Sequence, residues 1–173
     1  MVLTPFTSLE RSTAMNKLIS HAVLAMAFVA AAAGASAAAT VTYVNPDKMT
    51  DVPRFRADRE SMEAELLAHF NTLSARLPAG QNLKVEILDI DLAGDVFPRV
   101  AIQNVRVMKG RADYPHIHLR YSIEQNGKVL SSGERELTDM SYLNGFNRYS
   151  SNIFRHEKHM LDDWFRKEVV GAR

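Results

Sequence analysis

Cysteine is absent from the 173 residues of the sequence. A chain without thiols cannot form a disulfide, a thiolate metal site or a lipid-anchored cysteine, so its stability must come from its hydrophobic core. A surplus of charge is absent too, with 21 Lys and Arg against 20 Asp and Glu. Proteins that bind nucleic acid through its phosphates carry a basic surplus, and we therefore expect no nucleic-acid partner.

A membrane-spanning apolar run is also absent, because crossing a bilayer takes about 20 residues. The longest apolar run covers residues 22–33, follows Lys17 and precedes Gly34-Ala35-Ser36-Ala37. A positive segment, a short apolar segment and small residues one and three positions before the cut are typical of a secretory signal peptide. We predict that residues 1–37 are this signal peptide, with Met15 as a candidate for the true start.

Cleavage after Ala37 would leave residues 38–173, a length typical of a single domain. Removal of the signal also leaves equal numbers of acidic and basic residues. We expect a soluble protein that is periplasmic or secreted, with no stable membrane insertion after cleavage. An uncleaved anchor helix over residues 22–39 is the alternative.

Three strands are predicted outside the hairpin described next. β-Branched and aromatic residues predict a strand over 40–44. Alternating apolar residues predict a second strand over 83–92. Their change of face predicts either a bulge near Ile87 or a strand whose second half is covered on both sides. A similar pattern predicts a third strand over 98–108.

Asn126-Gly127 lies between two alternating runs and predicts a two-residue β-hairpin, since both residue types tolerate positive φ. Pairing outward from this turn places Ile123 opposite Leu130 and Tyr121 opposite Ser132. The predicted core face of the hairpin comprises Leu119, Tyr121, Ile123 and Leu130. The wetter face comprises His116, His118, Arg120, Ser122 and Glu124.

Apolar residues at steps of three and four predict two helices, over about 58–76, with Asp58 as its cap, and over about 152–169. The predicted buried stripe of the second helix comprises Ile153, Met160, Leu161, Trp164, Phe165 and Val169. Its wet side comprises Asp162, Asp163 and Lys167. The order of elements predicts an α+β domain with a mainly antiparallel sheet of about five strands and both helices on one face.

Candidate metal ligands are Asp89, Asp91, His116, His118, His156 and His159. The two aspartates alternate along a strand, so their carboxylates share a face and could hold a hard cation. Each histidine pair shares one side of its element, where imidazoles would suit zinc. Aspartate at a strand end is also ordinary turn chemistry, and cationic neighbours of both histidine pairs oppose a metal ion. We predict no metal and no cofactor.

No pattern for nucleophilic catalysis is present, because the sequence has neither cysteine nor a G-x-S-x-G motif. No catalytic residue is predicted, and whether the protein is an enzyme is left open. A non-catalytic binding or envelope-associated module is favoured. The alternative is a metal-assisted hydrolase that uses the aspartate pair or the histidine pairs.

Several segments resemble one known family, namely residues 41–52, 77–86, 89–94, 106–115, 119–121, 149–151 and 157–165. The family is a set of exported, uncharacterised proteobacterial proteins, known as domain of unknown function 3016. The resemblance spans nearly all of residues 38–173. It implies an exported single-domain protein, and it carries over neither an activity nor any site residue.

The connection 109–115 combines cations, an anion and an aromatic residue, which is unusual for a simple turn. Loops on a rigid sheet are where binding residues concentrate. We predict a partner site there that uses Lys109, Arg111, Asp113 and Tyr114, with a simple turn as the alternative. An envelope protein is the partner that we expect.

Overall fold

The computed structural model describes residues 37–96 and 106–171 of the chain. The predicted signal peptide up to residue 36 and residues 98–105 of the predicted third strand lie outside these ranges. The elements, in chain order, are β1 (Ala39–Tyr43), a 3₁₀ turn (Pro46–Lys48), α1 (Arg56–Ser74), β2 (Gln81–Asp91), β3 (Asp95–Val96), β4 (Arg106–Val107), β5 (His116–Gln125), β6 (Lys128–Thr138), α2 (Arg155–Trp164) and a π-helical segment (Phe165–Val170).

Four strands form the main sheet, in the order β1-β2-β5-β6. β1 runs parallel to β2, whereas β2 with β5 and β5 with β6 are antiparallel. β3 and β4 pair only with each other and form a separate two-stranded sheet. The predicted α+β class and mainly antiparallel sheet are confirmed. The main sheet has four strands within the described ranges against about five predicted, because the short strands 95–96 and 106–107 do not join it.

Both helices pack into one hydrophobic core with alternate residues of β2 and β5. α1 lies against β1 and β2, α2 lies against β6, and the two helices touch each other. The largest fully buried side chains include Met62, Leu66, Phe70, Leu83, Ile87, Ile117, Leu119, Leu161 and Phe165. Apart from Ile153, periodicity therefore located the core correctly on both helices and both central strands.

The chain enters this core at its first described residues. The Ala37 carbonyl accepts a hydrogen bond from Ser74 Oγ (2.9 Å). The Ala39 amide donates to Asn71 Oδ1 (3.0 Å), and the Leu83 amide donates to the Ala38 carbonyl (3.1 Å). β1 is therefore tied to both α1 and β2 from its first residue.

The bulge predicted near Ile87 is confirmed. The pairing of β2 with β5 shifts between Ile87 and Asp89, so that Ile87 and Ile90 both point into the core. Ile87 and Ile90 are three residues apart, so strict alternation would put them on opposite faces of the sheet. The extra residue of the bulge returns both to the same face.

The hairpin turn is also confirmed, since Asn126 and Gly127 have φ of 52° and 76°. The predicted register beyond it is wrong by one residue. Ile123 pairs with Ser131, and Tyr121 pairs with Gly133. A bulge leaves Leu130 exposed and outside the core, because the extra residue moves it away from its predicted place opposite Ile123.

Three predictions at the helices need correction. α1 begins at Arg56 without a side-chain cap, so Asp58 lies within its first turn instead of capping it. α2 begins at Arg155, which leaves Ile153 exposed ahead of the helix. Asp162, predicted to face water, is buried because that side of α2 meets α1.

Candidate functional site

The outer face of the main sheet, which is turned away from the core, is polar. Its register aligns Thr42, Glu86, Arg120 and Glu134 in one row across the four strands. Arg120 donates to Glu86 (Nη1 to Oε2, 2.7 Å) and to Glu134 (Nη2 to Oε2, 3.0 Å). His118 Nε2 lies 2.9 Å from the other Glu134 oxygen. This face lines an open trough of about 560 Å³ in which the charged groups of this row pair with one another.

Four of the candidate metal ligands lie on the neighbouring strands β2 and β5 at the end of this face. The register places Asp89 opposite His118 and Asp91 opposite His116. The sequence pattern alone indicated an aspartate pair and a histidine pair, with nothing to relate them. Asp89 accepts hydrogen bonds from the Thr50 amide (2.7 Å) and hydroxyl (2.8 Å). Its carboxylate therefore anchors the turn after β1.

The second histidine pair lies on α2. His156 is buried edge-on against Tyr142, with ring centroids 4.8 Å apart, and accepts a hydrogen bond from Arg155 Nε (3.0 Å). His159 is half-buried on the same helix. Across residues 37–96 and 106–171, no three or more His, Asp or Glu side chains are placed to hold a metal ion together.

The predicted partner loop is held together by its own side chains. Asp113 accepts hydrogen bonds from the amides of Lys109 and Arg111, the second at 2.8 Å. The Lys109 ammonium pairs with Asp95, so it ties the loop to β3. Arg111 is exposed and Tyr114 is half-buried. Two of the four predicted residues thus shape the loop, and the other two lie where a partner could touch them.

A second loop, which sequence reasoning missed, lies against the first. Met140, Leu143 and Phe146 have exposed fractions of 73%, 48% and 86%. The Gly110 amide donates to the Tyr142 hydroxyl (3.3 Å), and a methyl group added at Gly110 would come within 3.0 Å of Leu143. We call residues 109–114 and 139–146 the loop pair. Three large apolar residues within a polar, glycine-containing stretch were the sequence signal that could have revealed it.

Buried ionic groups connect α2 to the segment that supports this loop pair. Glu157 is fully buried and accepts a hydrogen bond from the Ala93 amide (2.7 Å). Burial raises the pKa of Glu157. Arg106 donates to the carbonyls of Leu92 and Ala93, each at 2.8 Å, and pairs with Asp51. Residues 92–94 are thereby fixed, and the Gly94 amide in turn donates to the Asp113 carbonyl (2.8 Å).

A second buried cluster joins the two helices. Asp162 accepts a hydrogen bond from the Tyr149 hydroxyl (2.7 Å), and its carboxylate lies 3.2 Å from Arg148 and 3.5 Å from His69 Nε2. Burial and the Asp162 carboxylate raise the pKa of Tyr149 to about 12. Since His69 and Asp162 are both buried, this pair joins the helices and does not face a substrate.

No helix in the described ranges combines the length and apolarity that a bilayer crossing requires.

Comparison with known proteins gives one match. A family model described as a protein of unknown function (DUF3016) matches residues 37–167. No curated protein matches the chain. No solved structure matches it either. Because the matched region covers well over half of the sequence, the chain belongs to the DUF3016 family of proteins of unknown function.

Proposed function

We propose that the protein is an exported binding module that recognises a protein of the cell envelope through the loop pair, without chemistry of its own. The observation that carries this proposal is the exposure of Met140, Leu143 and Phe146 within seven residues. Isolated exposed apolar residues are common on protein surfaces, but a group of large ones on a single loop is typical of an interaction site.

Rigid presentation supports the same function. Tyr142 is buried in the middle of the loop and packs on His156. The Ser141 amide donates to Asp139 Oδ1 (3.0 Å), and the Asn144 amide donates to the Ser141 carbonyl (2.7 Å). A loop that is already ordered loses little conformational entropy on binding, which favours affinity.

The neighbouring loop adds polar groups to this surface. Arg111 and Tyr114 are the side chains of the predicted partner site that are available for contact, while Lys109 and Asp113 hold the loop in shape. Arginine and aromatic residues are enriched at binding hot spots, so a cation beside an apolar group suits a protein partner. Export is supported by the signal-like sequence of residues 15–37.

A metal-assisted hydrolase is the alternative function. It would use the aspartates and histidines at the end of the outer face, or the pair on α2. Metal analysis of the purified mature protein, with thermal melts in the presence and absence of a chelator, tests it. A stoichiometric metal that raises the melting temperature would favour the hydrolase over the binding module.

Cross-linked capture from a periplasmic extract tests the binding module. Wild-type protein is compared with a Met140→Ser/Phe146→Ser variant and with a matched control, Phe55→Ser. Phe55 is 74% exposed and precedes α1, outside the loop pair. We expect one partner band with the wild type and the control, and its loss with the loop variant. A band that survives the loop variant, or no specific band with the wild type, would overturn the proposal.

A further inference from the structure

A polar groove of about 460 Å³ runs between the end of β6 and α2. One wall is the strand segment Glu136–Thr138, and the other carries His159, Asp163 and Lys167, which succeed one another at steps of four. Met160, Trp164 and Glu168 complete this side, on which Lys167 and Glu168 belong to the π-helical segment that continues α2. We call it the β6–α2 groove. A strand edge facing a helix is a surface that accepts an extended chain.

β6 is an edge strand, since no described strand pairs with it on the side away from β5. Unpaired amide and carbonyl groups along such an edge are available to another chain. The first part of this edge is obstructed by the bulge at Leu130 and by Arg135, whose guanidinium donates to the Glu134 carbonyl (2.8 Å). Residues 136–138 beside the groove carry neither obstruction.

Two residues that line the groove have a buried polar atom without a partner. Trp164 is 4% exposed, and its indole Nε1 has no acceptor among the described residues. His159 Nδ1 is likewise buried without a partner. Buried polar atoms in native proteins are nearly always hydrogen-bonded. Of the five buried side-chain atoms without a partner in the described ranges, two belong to residues of this one wall.

The charge of the groove indicates what kind of ligand this is. Its lining has four acidic side chains, Glu136, Asp139, Asp163 and Glu168, against the single basic Lys167. Asp163 pairs with Lys167 (3.1 Å), and Glu168 pairs with Arg135. Glu136 forms no ion pair within the described ranges and lies opposite His118, on the outer-face side of the strand edge. Asp139 forms none there either, but its Oδ1 accepts a hydrogen bond from the Ser141 amide, which leaves Oδ2 for a cation.

We propose that the β6–α2 groove binds an extended basic segment of a partner protein, which adds to the edge of β6 at residues 136–138. Lysine or arginine side chains of that segment meet Glu136 and Asp139, and its main chain pairs with the strand. The inference deepens the proposed function, because Asp139, Ser141 and Asn144 belong both to the loop pair and to the groove.

Trp164 provides the readout, because it is the only tryptophan and it lines the groove. The probe is a capped hexapeptide of alternating lysine and valine, titrated against the mature protein at low ionic strength. We expect saturable binding that changes tryptophan emission, and increased amide protection of residues 136–138 in hydrogen exchange. Peptides with glutamate in place of lysine, or with proline in place of valine, should not bind, since the first has the wrong charge and the second cannot pair as a strand.

A charge-reversed variant, Glu136→Lys/Asp139→Lys, should bind the lysine peptide about tenfold more weakly or worse. The matched control Asp58→Lys/Glu60→Lys makes the same change of charge on α1 and should bind as the wild type does. Equal binding of the lysine–valine and lysine–proline peptides, or equal loss in both variants, would overturn the proposal. Dimerisation that Glu136→Lys abolishes would assign the groove to a second copy of the chain and would also overturn it.

The Met140→Ser/Phe146→Ser variant separates this inference from the proposed function. Neither side chain lines the groove, so peptide binding should be retained when capture of the envelope partner is lost. If the wild-type protein captures the envelope partner but does not bind the peptide, the groove proposal is refuted and the loop-pair proposal is unaffected.

Discussion

Among single residues, Trp164 makes the aromatic contact between α2 and the sheet. Its ring lies edge-on to Tyr121, with centroids 5.2 Å apart, and 6.0 Å from the ring of Phe165. The helical periodicity predicts that it lies on the buried stripe, and its 4% exposure confirms this. Its intrinsic fluorescence should accordingly be blue-shifted and resistant to soluble quenchers.

Replacing this side chain should remove much of the stability of the fold. We expect Trp164→Ala to lower the free energy of unfolding by about 3–5 kcal/mol, because a large buried aromatic leaves a cavity in a close-packed core. Urea denaturation followed by circular dichroism measures the change. The control Phe146→Ala removes an exposed aromatic and should leave the curve unchanged; equal curves for both variants would contradict the prediction.

Two buried histidines should make the protein sensitive to acid. Burial lowers the pKa of His69 below its ordinary 6.5, with Lys158 and Arg148 acting in the same direction and Asp162 against it. Burial and Arg155 lower the pKa of His156, opposed by Asp139. At these two positions the unfolded chain therefore binds more protons below about pH 6.5, and their contribution to the free energy of unfolding should fall as the pH is lowered through this value.

Thermal melts between pH 8 and pH 5.5 test this dependence. A His69→Gln/His156→Gln variant serves as the comparison, since glutamine does not titrate. We expect the melting temperature of the variant to change less with pH than that of the wild type, whatever its absolute stability. Parallel slopes would assign the acid sensitivity to other groups.

The β5–β6 hairpin is the element whose turn was predicted from two residues. Gly127 adopts φ of 76°, and an added Cβ would meet no atom within 4 Å. Any cost of substitution there comes from the backbone conformation and not from a clash. We expect Gly127→Val to lower the free energy of unfolding by about 1 kcal/mol or more.

The control for this variant is Lys128→Val, which places the same side chain one residue later, on a strand position with ordinary φ. Chemical denaturation of both variants gives the comparison. If Gly127→Val is as stable as the control, the turn does not require a residue at positive φ.

The elements also show which features a sequence can predict. Alternation and helical periodicity depend on each element's own residues, so the core of α1, β2 and β5 was predictable. The bulge at Leu130 belongs to the pairing of β6 with β5, in which Gly133 lies opposite Tyr121 and a Cβ there would be 3.1 Å from the ring. The burial of Asp162 depends on the neighbouring helix. Contacts of this kind arise only when distant segments meet, and so they escape a local pattern.

The candidate site, too, was predictable from the sequence only in part. The loop 109–115 was predictable because its composition is unusual within a short segment. Its contact with residues 139–146 was not, because Tyr142 and Gly110 are far apart in sequence and meet through one hydrogen bond. The placement of Asp89 opposite His118 was not predictable either, because it depends on the register of β2 and β5, which neither strand specifies alone.

For the whole molecule, processing is the first property to measure. The sequence predicts cleavage after Ala37, and the mature protein should therefore begin at Ala38, with Thr40 as the second choice. Intact-mass measurement of the periplasmic fraction decides between these two. Recovery of the uncleaved precursor from the membrane would contradict the prediction and favour an anchor helix.

The attachment of residues 37–39 to α1 and β2 has a consequence for the order of events during export. The Ala37 carbonyl and the Ala39 amide are both engaged by α1, so the bond that we predict to be cut lies where the folded chain is docked. A protease needs an extended, detached substrate, so cleavage should precede completion of the sheet. Precursor that is refolded before signal peptidase is added should be cut far more slowly than nascent chain, which makes folding a competitor of maturation.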